Sequence, residues 1–133
     1  MLELMQESKF IKTGIDLPAL EGRRTKRASI EPVLAHIVAH FAEPLSLEDL
    51  AALTGLSIWR FATVFRERVG VSPFRYISML RVRHAQALLR EGMPAARAAS
   101  EAGFYDQSHL SRRFKQLCGM TPGEFQMKSR LPC

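Results

Sequence analysis

The chain has 133 residues, enough for a domain with its own core, and carries a formal net charge of +6 and a pI near 9.9, with arginine well in excess of lysine. Cys118 and Cys133 are too few for a disulfide framework or a four-cysteine zinc site, no apolar run approaches the ~18 residues of a membrane helix, and Glu3 and Glu7 speak against a secretory signal. This balance points to a soluble cytoplasmic protein without a cofactor, away from membranes, whose partner is anionic, nucleic acid first.

Residues 1–29 differ from the rest. Leu2, Leu4, Met5, Phe10 and Ile11 form a weak apolar segment, followed by Gly14, Pro18, Gly22 and the basic run Arg23, Arg24, Lys26, Arg27. This reads as a tail or linker: a solvated tether, an extra arm for a DNA backbone, or the remnant of a junction to another domain.

From Ile30 the apolar period becomes helical. Ile30, Val33, Leu34, Ile37, Val38 and Phe41 fall on one stripe and predict a first helix, ended near Glu43-Pro44. Ser46 offers an N-cap with Asp49 three residues on, and Leu47, Leu50 and Ala51 supply the buried face of a short second helix stopped by Gly55. Ser57 caps a third helix to about Val69, closed by Gly70, with Ile58, Phe61, Val64 and Phe65 expected inward. A fourth runs from about Pro73 to Arg90, with Tyr76, Ile77, Leu80, Ala85, Ala87, Leu88 and Leu89 as apolar positions. Pro94 opens an alanine-rich fifth, Asp106 caps a sixth through about Leu117, and Thr121-Pro122 starts a short seventh with Phe125.

The chain repeats itself. Ala51 and Gly55 match Ala99 and Gly103 at one spacing; one inserted residue later, Ser57, Phe61, Phe65, Gly70, Pro73 and Tyr76 match Asp106, Leu110, Phe114, Gly119, Pro122 and Phe125 at a second. Caps fall on caps and core positions on core positions. Helix, glycine turn, capped helix is the helix-turn-helix pattern, present twice. The expected fold is all-α: two helix-turn-helix subdomains of about seven helices in total, with a first unit at about 30–72, a long central linker helix at about 73–91 and a second unit at about 94–128.

The duplication marks the outward faces. Trp59, Ala62, Thr63 and Arg66 correspond to Ser108, Ser111, Arg112 and Lys115, opposite the core, and His109 joins the second face. Arg112 suits bidentate contact with guanine O6 and N7, and the His109 ring can donate or accept at a base edge. Arg66 and Lys115, nearer the helix ends, suit phosphate. Trp59 is either a core aromatic or an exposed reader, and Arg112 either a reader or a surface ion-pair partner. Arg81, Arg83 and Arg90 on the long helix are solvated or ion-paired, one of them touching phosphate. An 18-residue fourth helix spans about 27 Å, comparable with the ~34 Å between successive major-groove openings on one face of DNA. One monomer then reads an asymmetric pair of boxes on double-stranded DNA.

Other classes have less to rest on. His36 and His40 are one turn apart, but without a third ligand they read as surface histidines rather than a metal site. Cys118, in apolar context, reads as a small buried hydrophobe. No nucleophile elbow, phosphate-cradling loop or carboxylate pair supports an enzyme. The alternative is a helical protein-interaction module, a partner or antagonist of a full-length regulator, which charge-reversed faces would favour; here they are basic or neutral.

The stretch from Ile30 to Phe125 resembles the DNA-binding domain of the AraC/XylS transcription regulators. The resemblance lies in Pro44-Leu45-Ser46-Leu47, Leu50-Ala51, Gly55-Leu56-Ser57, Phe65-Arg66, Gly70-Val71-Ser72-Pro73, Tyr76, Arg81, Ala85, Leu88-Leu89, Gly103-Phe104, Asp106-Gln107-Ser108-His109-Leu110, Arg112, Phe114-Lys115 and Gly119-Met120-Thr121-Pro122. It implies a bacterial regulator, usually an activator, with two recognition helices in successive major grooves and RNA polymerase as a partner. It implies base-facing roles for Trp59, Ala62, Thr63, Ser108, His109 and Arg112, and backbone contacts from Arg66, Lys115 and the start of the long helix; of the long-helix arginines, Arg81 is the one expected at the backbone. The residues ahead of Ile30 are too few for the effector-binding domain usual in the family, which implies a short member or a piece of a longer regulator. Ala95 and Ala98 stand where larger aliphatics are usual, and Arg97 where an acid is frequent, implying a looser second unit. Ala62 and Thr63 are short, shifting base discrimination toward Arg112 and His109.

Overall fold

A computed structural model describes residues 30–130, and among them lie seven α-helices and no strand. The expected tail with its basic run, and Cys133, fall outside the described residues. The helices are α1 (Glu31–His40), α2 (Leu47–Ala52), α3 (Ile58–Val69), α4 (Pro73–Arg90), α5 (Ala95–Ala102), α6 (Gln107–Cys118) and α7 (Pro122–Arg130). The described chain divides into two compact units inside α4, between Ile77 and Ser78.

In the first unit the caps do what their chemistry requires. Ser46 Oγ accepts the Asp49 N–H at 3.0 Å and Ser57 Oγ the Arg60 N–H at 3.1 Å, each satisfying a donor that the first helical turn leaves open. Gly70 ends α3 at φ 99°, a left-handed conformation that strains any side chain, and its N–H returns to Arg66 O at 2.9 Å. Val33 and Ile37 of α1, Leu50 and Ala51 of α2, and Phe61, Val64, Phe65 and Val69 of α3 are buried, with Tyr76 and Ile77. Phe65 meets Phe61 and Tyr76 edge-on, at centroid distances of 5.7 and 5.9 Å. Ile58, expected inward, is 39% exposed: it is the first residue of α3, and the inward stripe is filled from Phe61 onward.

The second unit repeats these devices. Asp106 Oδ1 accepts the His109 N–H at 2.8 Å, and Gly119 closes α6 at φ 82° with its N–H on Lys115 O at 2.9 Å. Phe114 and Phe125 meet edge-on at 5.4 Å, as Phe65 and Tyr76 do at the matching positions. Ala98, Ala99 and Ala102 are fully shielded and Ala95 is half-buried, and α5 packs its short side chains against α6. Arg97 pairs with Glu101 at 3.8 Å on the outside of α5.

Polar groups tie the end of α4 to this unit. Gln126 Nε2 donates to both Leu89 O and Met93 O at 2.9 Å, taking up carbonyls where α4 ends. Buried Gln86 donates to Cys118 Sγ at 3.3 Å; burial pushes the thiol pKa up to about 11, and Cys118 is the small buried group expected. Arg83 is buried and Arg90 lies over the Phe125 ring at 5.2 Å, so neither is simply solvated.

The start of α7 carries a full capping box: Thr121 Oγ1 accepts the Glu124 N–H at 3.1 Å while Glu124 Oε1 accepts the Thr121 N–H at 2.9 Å. Thr121→Ala removes one half of it and should cost about 1 kcal/mol. A thermal melt should show a midpoint several degrees lower; an unchanged midpoint would mean that water replaces the cap.

Candidate nucleic-acid interface

α3 and α6 each bury one face, so the opposite face is turned to solvent by the same packing. On α3, Trp59 is 75% exposed, which decides between core aromatic and surface ring in favour of the surface. Ala62 and Thr63 are half-buried and Arg66 is exposed. Thr63 Oγ1 donates to Trp59 O at 3.1 Å, so its proton is committed to the helix and its oxygen is left to accept.

On α6, Ser108, Arg112 and Lys115 are exposed, and His109 and Ser111 half-buried. Arg112 makes no ion pair among the described residues, leaving its guanidinium available in the way a base reader requires. Lys115 lies near enough to Glu124 to help lower its pKa, a shift set first by the Thr121 N–H that Glu124 accepts. The two faces therefore share position but differ in chemistry: Trp59, Ala62, Thr63 and Arg66 on the first stand where Ser108, Ser111, Arg112 and Lys115 stand on the second, with His109 beside them.

Arg81 belongs to the same unit as α6 and is half-buried, and burial lowers its pKa. His109 feels it. The ring's pKa is lowered by its own burial first and then by the guanidiniums of Arg113, Arg112 and Arg81, against the Asp106 carboxylate, which raises it.

Sequence reasoning passed over three residues at these faces. Tyr105 is 90% exposed immediately before the Asp106 cap; it stands in the turn, where no helical period points to it. Arg60, exposed in the first turn of α3, and Arg113, whose Nη1 donates to Gln116 Oε1 at 3.0 Å, add positive charge beside the outward stripes. Their signal was charge alone.

Elsewhere the histidine pair of α1 is a local contact: His36 and His40 rings lie 4.5 Å apart and His40 Nδ1 is 3.1 Å from Glu43 Oε2. Among the described residues no group of three or more His, Cys, Asp or Glu side chains is placed to hold a metal, and no helix is long and apolar enough to cross a membrane.

The comparisons with known proteins agree with this geometry. A family model described as a helix-turn-helix domain matches residues 50–128. The transcriptional activator RhaS of Escherichia fergusonii is 32% identical over 108 residues, covering 80% of this chain and 39% of that protein. Among solved structures, the DNA-binding domain of the global transcriptional factor AdpA, in complex with a target DNA, is similar with a TM-score of 0.72 and 27% identity, over 76% of this chain and 92% of that one. A transcriptional regulator of Chromobacterium violaceum with an AraC-type DNA-binding domain matches with a TM-score of 0.69 and 25% identity, over 78% of this chain and 94% of that one. The chain spans 39 to 45% of the length of the curated relatives it matches first.

The surroundings of His109 yield a pH expectation. Its lowered pKa leaves the ring neutral at pH 7, with protonation setting in only as the pH falls below the ordinary value of about 6.5. Ring-proton NMR shifts followed against pH should give a midpoint below that value; a midpoint at or above it would place the ring in open water or under the control of Asp106.

Proposed function

The chain belongs to the AraC/XylS-type helix-turn-helix transcription regulators, and from that premise we propose that residues 30–128 form a sequence-specific reader of double-stranded DNA that inserts α3 and α6 into successive major grooves of one asymmetric site. The observation that carries this reading is the repeated outward face. Each of the two helices is capped, backed by an edge-on ring pair and open on the other side, with a cation one turn from its end in Arg66 and Lys115.

In this reading Trp59, Ala62 and Thr63 face the bases of one box and Ser108, His109 and Arg112 those of the other, while Arg66, Lys115 and Arg81 contact the backbone. Arg112 supplies the most discriminating contact, because its planar guanidinium matches the paired acceptors of guanine. Trp59 and the Ala62 and Thr63 methyls suit the thymine methyl group. Two readers in one chain remove the usual need for a dimer, so the protein acts as a monomer on its site. The name of the RhaS relative supports activation as the sign of control. RNA polymerase as the protein partner rests on the family resemblance.

Selection of bound duplexes from a random library, followed by titration of the winner against scrambled DNA at physiological salt, tests the proposal. An asymmetric two-box site about one turn apart, preferred by roughly 10³ or more, is the expected result. Absence of enrichment together with weak binding to all DNA would return the chain to the protein-interaction reading. On the selected site Arg112→Ala should cost about 1–3 kcal/mol and relax preference at one base pair. Lys115→Ala should weaken cognate and scrambled DNA alike and reduce the slope of log affinity against log salt by about one. Equal losses on both DNAs for Arg112→Ala would move that residue to the backbone.

A further inference from the structure

His109 is held more firmly than a surface histidine needs to be. It occupies the third position of α6, and its own N–H is taken by the Asp106 cap at 2.8 Å. The Tyr105 backbone N–H donates to its ring Nδ1 at 3.3 Å. The buried Phe104 ring meets the imidazole edge-on, with centroids 5.2 Å apart and planes at 87°.

These contacts settle which nitrogen carries the proton. A backbone N–H can face Nδ1 only if that nitrogen presents its lone pair, so in the neutral ring the proton sits on Nε2. Protonation of the ring would set an Nδ1–H against the Tyr105 N–H. Burial and the guanidiniums of Arg113, Arg112 and Arg81 oppose that state, and Asp106 is the carboxylate that favours it. Nε2–H has no hydrogen-bond partner among the described residues. The ring therefore offers the outside a donor and no acceptor.

We propose that His109 is a donor-only reader: its Nε2–H donates to the N7 of a purine in the box read by α6, and the Tyr105 N–H, by occupying Nδ1, prevents it from accepting from cytosine N4 or adenine N6. The inference rests on α6 being a DNA reader. It adds to that reading the hydrogen-bond sense of one contact and the turn residue that sets it. A freely rotating imidazole could present either nitrogen and would tolerate a base-edge donor or acceptor at the same place. The pinned ring cannot. Cytosine, which offers only its amino donor in the major groove, is rejected at that position.

The test uses the duplex that the wild-type chain itself selects. Each purine of the α6 box is replaced singly by its 7-deaza analogue, which removes N7 and leaves base pairing intact, and the duplexes are titrated with wild-type protein and with His109→Asn. The shorter amide keeps an acceptor for the Tyr105 N–H and does not reach the base. One purine should lose about three- to tenfold in affinity for the wild type on 7-deaza substitution, the value of a single hydrogen bond, and lose nothing further for His109→Asn. The guanine held by Arg112 should remain sensitive with both proteins. If every 7-deaza penalty is the same for wild type and His109→Asn, His109 is only a brace for the turn and the proposal falls while the DNA reading stands. If no purine of the box is sensitive in the wild type, the proposal falls without reference to any variant. If no duplex is selected at all, the DNA reading fails first and takes the proposal with it.

Discussion

A helix can offer one face to a ligand only if its rotation about its own axis is fixed, and in this protein an edge-on pair of rings supplies that constraint twice. Phe65 of α3 is locked against Tyr76 of the following helix, and Phe114 of α6 against Phe125 of the one after it. Each ring pair is worth about 0.5–1.5 kcal/mol beyond the area it buries. Its larger effect is geometric. With Phe65 and Phe114 pointing inward, Trp59 and Arg112 have nowhere to point but out, and the glycine caps at Gly70 and Gly119 turn the chain so that the second ring of each pair arrives in place. The N-caps Ser57 and Asp106 add a local bond to the first turn of each of these helices.

Much of this was legible in the amino-acid sequence, for reasons that are local. Helical periodicity, N-cap hydroxyls and carboxylates, and glycines after the last turn are short-range signals, and all seven helices were read with their boundaries close to those observed. The internal repeat added information that no single segment held, since it aligned Tyr76 with Phe125 and so identified the two closing rings as equivalent. Ile58 shows where periodicity stops helping: the stripe rule assigns an inward face to every turn, but a terminal turn has no neighbour to be buried against. Long-range polar contacts were beyond reach. Gln126 bonding Leu89 and Met93, or Gln86 bonding Cys118, depends on where distant segments meet, and nothing in the residue types announces it.

The candidate site divides along the same line. Exposure of Trp59, Arg112 and Lys115 followed from being opposite the core, which a pattern can reveal. Tyr105 did not, because a turn residue has no periodic partner. The protonation site of His109 did not either: it is decided by a backbone N–H four residues earlier whose direction exists only once the turn has folded. Chemistry that depends on which side chain lies outward is readable from sequence, whereas chemistry that depends on which atom of that side chain is left over is a property of the folded turn.

One consequence of the two ring-backed helices concerns how such a protein changes over generations. None of the large outward side chains, Trp59, Arg66, Arg112 or Lys115, is part of the core, and substitutions at exposed positions of this kind usually alter stability by no more than about 0.5 kcal/mol. Target preference can then drift while the fold stays where it is. The two halves can also drift separately, because each carries its own ring pair and its own caps. A duplicated scaffold of this sort lets the outward face of one helix change while the other half of the chain keeps its own.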